Sequence, residues 1–349
     1  MLHLNRILKI LLPLLAIALL VVAITGWQVR GFLTSAVSVP QQGVAFEIRP
    51  GAAFAEVSEN LADLGVIERS DYFRWYARIT GKAAAVHAGE YQIAAGMTPV
   101  QLLDKFVSGE VQLYSFTIVE GWTYRELLAA VNASDVVEPS ISYEDWPALL
   151  QLLGSDIDHP EGLFLPETYR FPKGTTDVEL LKQAYQLMQD TLAAEWAGRD
   201  VNLPITSPYE ALILASIIEK ETALASERPQ ISGVFVRRMR QRMRLQTDPT
   251  VIYGIGIEFN GNLTRNDLRT DTPYNTYTRS GLPPTPIALP GKAAINAAVH
   301  PADGSEVYFV ATGLGDGSHK FSDTKEQHDA AVQEYLKRQR AARLNQTGQ

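Results

Sequence analysis

The amino-acid sequence predicts an α+β protein that carries one transmembrane helix at its N-terminus. The helix is predicted by an apolar run of 18 residues, ILLPLLAIALLVVAITGW. Capped amphipathic helices follow, and short alternating segments such as VAFEI and VQLYSFTIVEG between them predict strands. Because 46% of the 349 residues are hydrophobic, the chain can bury a core and divide into two or three folded units.

The composition of the chain excludes several classes of function. The formal net charge is −8, and the basic residues are scattered apart from those of one helix, which disfavours a nucleic-acid partner. The sequence contains no cysteine, so disulfide bonds, thiolate metal sites and cysteine nucleophiles are excluded. We therefore expect a protein that is indifferent to the redox state of its compartment.

Residues 1–30 are predicted to contain a cytoplasmic tip and the transmembrane helix. The run Ile10–Trp27 is uncharged and about long enough to begin spanning a hydrocarbon core of ~30 Å. Arg6 and Lys9 precede it and Arg30 follows it, a slight bias that favours a cytoplasmic N-terminus. A cleaved signal peptide is the alternative, although the run is rather long and no clear cleavage site follows. The sequence thus predicts a single-pass protein of the cytoplasmic membrane whose remaining residues lie on the outer side.

Two segments follow the span. Residues 31–43 have weak periodicity and are predicted to be a linker that lifts the folded part off the bilayer. Residues 44–120 are predicted to be a small α+β subdomain with strands at VAFEI and AGEYQI. Its helices are predicted to begin at capping residues that include Ser70 and Thr98. No cluster of titratable residues occurs in this subdomain, so it is either a packing spacer or a polymer-binding module.

Residues 121–343 are predicted to form a larger α+β domain, followed by a disordered tail at 344–349. The segment HPEGLFLPETYRFPKG is too rich in proline, glycine and aromatic residues for a helix or an interior strand, so it should wrap a core or line a groove. A helix begins at SPYE, where Ser207 and Glu210 form a predicted capping box, and an arginine-rich helix follows. Beyond it we expect a long irregular region over 245–291, then a hairpin and a terminal helix.

The stretch LILASIIEKET, residues 212–222, contains the most informative candidate for catalysis. Its apolar residues cover nearly the whole circumference of a helix, as in a helix surrounded by protein, yet it ends in charges. Glu219 follows Ala215 and Ser216 by one turn, and these small residues are expected to leave space for a ligand. Burial and the negative end of the helix dipole should both raise the pKa of Glu219. A carboxylic acid that is protonated near neutral pH is what cleavage of a glycosidic bond requires.

The pattern around Glu219 leaves its role open. Glu221 is not a natural partner, because residues two apart on a helix face away from one another, so the two do not form a ready-made glycosidase dyad. A single acid would suit a reaction in which no second carboxylate activates water. Alternatively, Glu219 is only the polar end of a core helix and forms a salt bridge with an arginine of the next helix.

Several ordered motifs resemble one enzyme family. LASIIEKETA, SERPQISGVFVRRMRQRMRLQTDPTVIYG, YNTYTRSGLPPTPIALPG and YFVATGLGDGSHKFS closely resemble segments of the endolytic murein transglycosylases of the YceG/MltG-like family. The resemblance is nearly continuous over residues 208–337. It is looser over 44–206, where VEGWT and EGLFLPETYRF resemble family segments.

The resemblance implies a lytic transglycosylase that cleaves the MurNAc–GlcNAc bond of nascent peptidoglycan strands. Such an enzyme leaves 1,6-anhydro-MurNAc ends and terminates glycan chain elongation. The family's catalytic glutamate falls on Glu219, and we expect no cofactor. Family members carry a LysM-like subdomain, which would correspond to residues 44–120 and favours glycan binding there, ahead of a YceG-like catalytic domain at 121–343. The expected partners are peptidoglycan glycan strands, the membrane and peptidoglycan synthases.

Candidate substrate-binding residues lie in loops that supply the aromatic faces, amides and hydroxyl groups favoured by sugar sites. They are Gln246, Thr247, Asp248, Tyr274, Asn275, Tyr277 and Glu167. Each could instead be a structural turn residue, above all the aspartate, which precedes a proline. The histidines lack acidic or cysteine partners at ligand spacing, so no metal site is predicted.

Two other functions fit the same residues. One is a hydrolytic muramidase in which Asp248 or Glu167 activates water. Product analysis separates it from a transglycosylase, because hydrolysis leaves a reducing sugar and transglycosylation leaves an anhydro end. The other is a non-catalytic peptidoglycan-binding scaffold for cell-wall synthases, which would bind glycan without cutting it.

Overall fold

Helices and short strands of the chain divide between two units of mixed α+β structure. The computed structural model describes the backbone of residues 2–347 and the side chains of residues 11–342. The smaller unit takes the chain up to Tyr114 together with Phe171–Lys173, and the larger unit takes the rest. The predicted α+β class is confirmed in its coarse form, with small sheets and many helices.

The smaller unit contains four helices and one two-stranded sheet. Its elements are α1 (Leu2–Thr34), β1 (Val44–Ile48), α2 (Phe54–Asp63), α3 (Ser70–Ile79), β2 (Gly89–Ile93) and α4 (Pro99–Ser108), and the chain leaves through β3 (Leu113–Thr117). β1 and β2 are antiparallel, with Val44 opposite Ile93 and Ile48 opposite Gly89. Alternate residues of both strands are buried, because successive side chains of a strand point to opposite faces.

The ends of two helices in this unit test the predicted caps. Thr98 is confirmed as the cap of α4: its side chain accepts a hydrogen bond from the Gln101 backbone, and the Gln101 side chain bonds back. The prediction for Ser70 is wrong, because Ser70 is already helical and Arg69 takes the cap position without a side-chain bond. The carboxylate of Asp71, in the first turn, is paired with the Arg69 guanidinium at 2.6 Å.

The segment predicted as a linker is partly helical and partly packed. α1 runs on through Thr34, and the Phe32 ring contacts the Tyr72 ring with centroids 6.1 Å apart. Val37 is buried in the core of the unit, and its N–H donates to Met97 O at 2.7 Å. The apolar stretch Leu11–Thr34 of α1 is long enough to cross a membrane, a property that it shares with signal sequences.

The larger unit is mainly helical. Its elements are α5 (Tyr124–Asn132), α6 (Trp146–Leu153), β4 (Thr168–Pro172), α7 (Asp177–Ala197), α8 (Pro208–Glu221), α9 (Arg228–Arg240), α10 (Asp248–Ile255), α11 (Lys292–Val299), β5 (Tyr308–Ala311), β6 (His319–Ser322) and α12 (Lys325–Thr347). β3 pairs with β4, and β5 forms an antiparallel hairpin with β6. α12 covers the described part of the predicted tail, and residues 348 and 349 lie outside the described residues.

Two local predictions in the larger unit are corrected. The region 245–291 is not irregular throughout, because it contains α10, which has Pro249 at its first turn. The capping box at α8 is only half formed. Ser207 accepts from the Glu210 N–H at 3.2 Å, but the Glu210 carboxylate accepts from the Thr206 hydroxyl at 2.9 Å instead of the Ser207 N–H.

α8 is the central helix of the larger unit, as its apolar circumference predicted. Residues 211–218 are all buried, and α7, α9, α10 and α11 pack around it. The predicted space above Ala215 and Ser216 is filled. The Ser216 hydroxyl donates to Ile213 O at 2.7 Å and accepts from the Ile287 N–H at 3.0 Å, which fixes the segment before α11 on α8.

We predict that Ser216→Ala lowers the free energy of unfolding by about 1–3 kcal/mol, because the buried Ile287 N–H loses its acceptor. Urea denaturation of the protein in detergent measures the change. Ser226→Ala removes a hydroxyl from an exposed position and should stay within about 0.5 kcal/mol of the wild type. Equal effects of the two substitutions would contradict the role of this hydrogen bond.

Candidate active site

Glu219 lies in the last turn of α8, where the helix leaves the core. Its side chain is only 5% exposed, although the backbone around it reaches the surface. Its Oε2 atom accepts the N–H of Gly291 at 3.0 Å, and Gly291 is the cap residue of α11. The negative end of the α8 dipole is therefore balanced by the positive end of α11, a balance that the sequence does not show.

The second oxygen of Glu219 is paired with Arg228, the first residue of α9. Arg228 Nη2 donates to Glu219 Oε1 at 2.8 Å, and the arginine side chain is 8% exposed. The same nitrogen lies 3.3 Å from Oε2 of Glu120, a residue whose side chain is 48% exposed. This ion pair is the salt bridge with an arginine of the next helix that the sequence leaves open as the alternative to a catalytic role of Glu219. Because Arg228 also contacts Glu120, the site contains a second carboxylate.

The pKa of Glu219 is raised above its ordinary value, and burial is the main cause. The Gly291 N–H and the Arg228 charge act in the opposite direction, since both stabilise the carboxylate, and the charge of Glu120 raises the pKa further. The protonation state of Glu219 consequently depends on how Arg228 is shared with Glu120. Burial favours the protonated form of Glu219, and the ion pair with Arg228 favours the carboxylate.

Three separate chain segments build this site. The segment before α5 bonds to the segment before α11: the Gly121 N–H donates to Leu289 O at 2.9 Å, and the Leu289 N–H donates to Trp122 O at 2.6 Å. Lys220 of α8 donates to Gly121 O at 3.1 Å. Gly121 has a φ of +78°, which favours glycine, and a Cβ atom on Gly291 would overlap the Glu120 carboxylate. Gly291 therefore allows the close approach of Glu120, and Gly121 allows the turn of the chain beside it.

Residues 46–334 match the YceG-like family. The chain belongs to this family. It is similar to an endolytic murein transglycosylase from Bacillus subtilis (strain 168), with 29% identity over 310 residues, which are 84% of this chain and 85% of that protein. A protein of the same name from Streptococcus pneumoniae serotype 2 (strain D39) is 27% identical over 326 residues, 84% of this chain and 58% of that protein. The crystal structure of a YceG-like protein from Listeria monocytogenes aligns with a TM-score of 0.52 and 29% identity, covering 83% of this chain and 99% of that one.

A second group of predicted site residues in this YceG-like protein gathers around Glu221. The Thr247 hydroxyl donates to the Glu221 carboxylate, and burial raises the pKa of Glu221 to about 7. The Tyr277 hydroxyl donates to Asp248 Oδ1 at 2.5 Å. Thr247 is buried, and its N–H donates to Thr276 Oγ1 at 3.1 Å. Glu221 thus bonds to the loop after α9, while Glu219 bonds to α9 and to the cap of α11.

The remaining predicted binding residues have different settings. Gln246 is exposed and has a φ of +53°. Glu167 is also exposed, and its Oε1 atom accepts a hydrogen bond from the Thr168 N–H at 2.9 Å. Asn275 is buried, and its amide donates to backbone carbonyls such as Thr270 O at 2.7 Å, which is a structural role. The hydroxyl of Tyr274 bonds to Thr285 at 2.8 Å. Among the described residues, hydrogen bonds connect none of the seven predicted binding residues to Glu219.

Sequence reasoning missed three residues with evident roles, Glu120 and Gly291 near the candidate acid and Glu161 in the segment HPEGLFLPETYRFPKG. It anticipated an arginine of the next helix without identifying Arg228. Glu120 and Gly291 belong to VEGWT and IALPG, two segments that are far apart in the chain and meet near Glu219 only in the fold, so no local pattern identifies them.

Glu161 is a buried acid that links three parts of the larger unit. Its Oε1 atom accepts the Tyr124 N–H at 2.9 Å, and its Oε2 atom accepts the Tyr253 hydroxyl at 3.0 Å. The Tyr253 ring in turn contacts Tyr274 with ring centroids 4.9 Å apart. Burial raises the pKa of Glu161 to about 7. Within the part of the chain that the structure describes, no group of three His, Cys, Asp or Glu side chains is arranged to hold a metal ion.

We predict that Glu161→Gln changes how stability depends on pH. The pKa of Glu161 is about 7 in the folded chain against 4.5 for the free side chain, so folding is favoured below pH 4.5 and this advantage is lost as pH rises through 7. The loss amounts to at most about 3 kcal/mol. The variant lacks this group, so its stability relative to the wild type should increase by up to that amount across the range.

Urea denaturation in detergent at several pH values between 5 and 8 tests this expectation. Glu167→Gln makes the same chemical change at an exposed position of the same segment, and it controls for the substitution itself. A difference between wild type and Glu161→Gln that does not change with pH would contradict the expectation.

Proposed function

We propose that this protein is an endolytic peptidoglycan lytic transglycosylase with Glu219 as its single catalytic acid and base. It would cleave the MurNAc–GlcNAc bond of nascent glycan strands and leave 1,6-anhydro-MurNAc ends, which would terminate chain elongation. One observation carries the proposal: the buried Glu219 carboxyl group at the end of the central helix, with its raised pKa. Membership of a family whose curated relatives are named endolytic murein transglycosylases supports it.

In the first step Glu219 gives its proton to the glycosidic oxygen. The bond from that oxygen to C1 of the muramic acid breaks, positive charge develops at C1, and the substrate's own N-acetyl group eases this charge. The proton must be on Glu219 when the strand arrives, and burial favours that form because a buried carboxylate loses its hydration.

In the second step the same residue acts as a base. The Glu219 carboxylate removes the proton of the C6 hydroxyl while that oxygen attacks C1, which forms the anhydro ring and restores the acid. Water is not a reactant, so no second carboxylate is required. The Gly291 N–H, which lies 3.0 Å from Oε2, stabilises the carboxylate formed between the steps.

The shared arginine controls the proton in this proposal. Glu120 is half exposed, so water weakens its attraction for Arg228 in the free protein. A glycan strand that covers Glu120 removes this water and strengthens the pair between Glu120 and Arg228. Arg228 then leaves Oε1 of Glu219, which frees that oxygen for a proton at the moment when the substrate is present.

In the same proposal, other parts of the chain anchor the protein and bind the glycan strand. α1 would anchor the protein in the cytoplasmic membrane with both units outside, close to newly made strands. The LysM-like part of the smaller unit would bind glycan. Gln246, Asp248 and Glu167 are exposed and could contact sugar, while Tyr274 and Tyr277 supply half-buried rings. The buried Thr247 and Asn275 would hold the binding loops in shape.

A hydrolytic muramidase is the second candidate, and one distance favours it. Glu219 Oε1 and Glu120 Oε2 lie 2.8 Å and 3.3 Å from the same nitrogen, so these two oxygens are no more than about 6 Å apart. A separation of this size is compatible with retaining glycosidases, whose carboxyl groups lie about 5–5.5 Å apart and whose second carboxylate attacks the sugar, whereas direct activation of water needs about 6.5–9.5 Å. In this alternative Glu120, in place of Asp248 and Glu167, would attack C1 of the sugar as the glycosidic bond breaks, and water would then release the sugar as a reducing end.

We predict that Glu219→Gln reduces cleavage of glycan strands by at least about 100-fold, because the variant keeps the shape of the side chain and loses its proton. Mass spectrometry of digestion products measures cleavage, and pelleting with purified sacculi measures binding, which should persist. Glu210→Gln, at the other end of the same helix, should cut normally. Cleavage by Glu219→Gln at the wild-type rate would falsify the proposed role.

We predict that Glu120→Gln still yields anhydro ends but lowers cleavage above neutral pH. The Glu120 charge raises the pKa of Glu219, so its removal lowers that pKa and leaves Arg228 wholly to Glu219. The alkaline limb of the pH–rate profile should therefore move to lower pH. The products decide between the two reactions: the muramidase is supported if wild type gives reducing ends and Glu120→Gln gives no cleavage at any pH.

A further inference from the structure

One side of α3 carries aromatic and apolar side chains that the smaller unit leaves uncovered. Trp75 is 55% exposed and Ile79 is 61% exposed, and they lie four residues apart on one side of the helix. Tyr72 and Tyr76 border them and are half buried. We call these four residues the Trp75 face. The core side of α3 is separate and holds side chains such as Phe73, which is fully buried.

The Trp75 face lies beside the apolar part of α1. Val21, Val22 and Thr25 of α1 line a groove together with Trp75 and Tyr76. The position of α3 against α1 is fixed nearer the C-terminal end of α1. There the Tyr72 hydroxyl donates to Gln28 Oε1 at 3.0 Å, and the Tyr72 ring contacts the Phe32 ring. The groove is therefore a fixed feature of the smaller unit.

The length of α1 decides what surrounds this groove. A hydrocarbon core of ~30 Å takes up about 20 helical residues, so a span that begins at Leu11 ends near Arg30. Val22 then lies about 12 Å below Arg30, because a helix rises about 1.5 Å per residue. If α1 crosses a membrane, the groove beside Val22 is below the headgroups, and lipid must fill it.

The chemistry of the Trp75 face suits this depth. Tryptophan and tyrosine are enriched at membrane interfaces, where the ring is in an apolar setting and the N–H or O–H reaches polar groups. The charged residues that line the groove are Arg30 and Asp71. Asp71 is paired with Arg69 at 2.6 Å, and Arg30 lies at the expected upper limit of the span. The groove is thus apolar beside Val22 and polar beside Arg30.

We propose that the Trp75 face is inserted into the outer interface of the lipid bilayer, so that the smaller unit rests on the membrane and is not held above it. The proposal rests on the proposed role of α1 as a retained membrane anchor. Trp75 and Ile79 enter the boundary between headgroups and acyl chains, and lipid covers apolar surface that water would otherwise contact.

Single cysteines in the full-length chain test this placement, because the natural sequence has none. Trp75→Cys and Ile79→Cys are labelled with a nitroxide in proteoliposomes of phosphatidylethanolamine and phosphatidylglycerol. Electron paramagnetic resonance then compares the accessibility of each label to oxygen, which enters lipid, with that to a water-soluble nickel chelate. Arg78→Cys is the matched control, since Arg78 is exposed on the same helix outside the Trp75 face, about 60° round from Trp75 and about 100° round from Ile79, on the side away from Tyr76. Val22→Cys reports on the span itself.

We expect the ratio of oxygen to nickel accessibility at positions 75 and 79 to exceed that at position 78 severalfold and to approach that at position 22. The proposal is overturned if positions 75 and 79 resemble position 78 while position 22 is in lipid. It is also overturned if both are shielded from both reagents, which would mean that protein covers the face. A water-exposed label at position 22 would refute the anchor itself, while the cleavage assays on Glu219 test the catalytic proposal separately. Thermal midpoints near that of the wild type confirm that the labelled variants are folded.

Discussion

The catalytic proposal depends on one guanidinium group with two carboxylate partners. Nη2 of Arg228 contacts the buried Glu219 and the half-exposed Glu120, and the Nε–H of the same arginine is buried with no partner among the described residues. A buried ion pair contributes little net stability, because desolvation of the charges offsets their attraction, but the loss of one partner is costly. The Arg228 guanidinium therefore positions the Glu219 carboxylate, while the net free energy of their ion pair is small.

The backbone around this group is held more firmly than its charges. Paired hydrogen bonds join the chain before α5 to the chain before α11, and Ser216 attaches the latter to the central helix. Glu219 is positioned by α8, and its Oε2 atom is bonded to the α11 cap. A reacting group supported by several rigid elements keeps its geometry. The backbone therefore positions Glu219, and in the proposed mechanism Arg228 controls its proton.

The sequence predicted what local patterns determine. The core helix α8, strand β1, the Thr98 cap and the burial of Glu219 each follow from residues close together in the chain. Glu120 could not be identified in the same way, since it lies 108 positions from Arg228 and the two meet only through the fold. α10 was missed although Pro249 at a first helical turn is a visible signal, because the surrounding glycines and prolines dominated the pattern. The seven binding residues are predicted from residue type alone. Residue type cannot distinguish Asn275, which is buried and donates to backbone carbonyls, from Gln246, which is exposed.

The continuity of α1 into the smaller unit has a mechanical consequence. An unstructured tether absorbs insertions and deletions, since its ends can still find their positions. A helix that runs without a break from the apolar span to its contact with Tyr72 cannot do so. Each residue added between them would turn the unit by about 100° around the helix axis and lift it by about 1.5 Å. If α1 crosses the bilayer as proposed, the number of residues in this stretch sets the orientation of the unit toward the membrane.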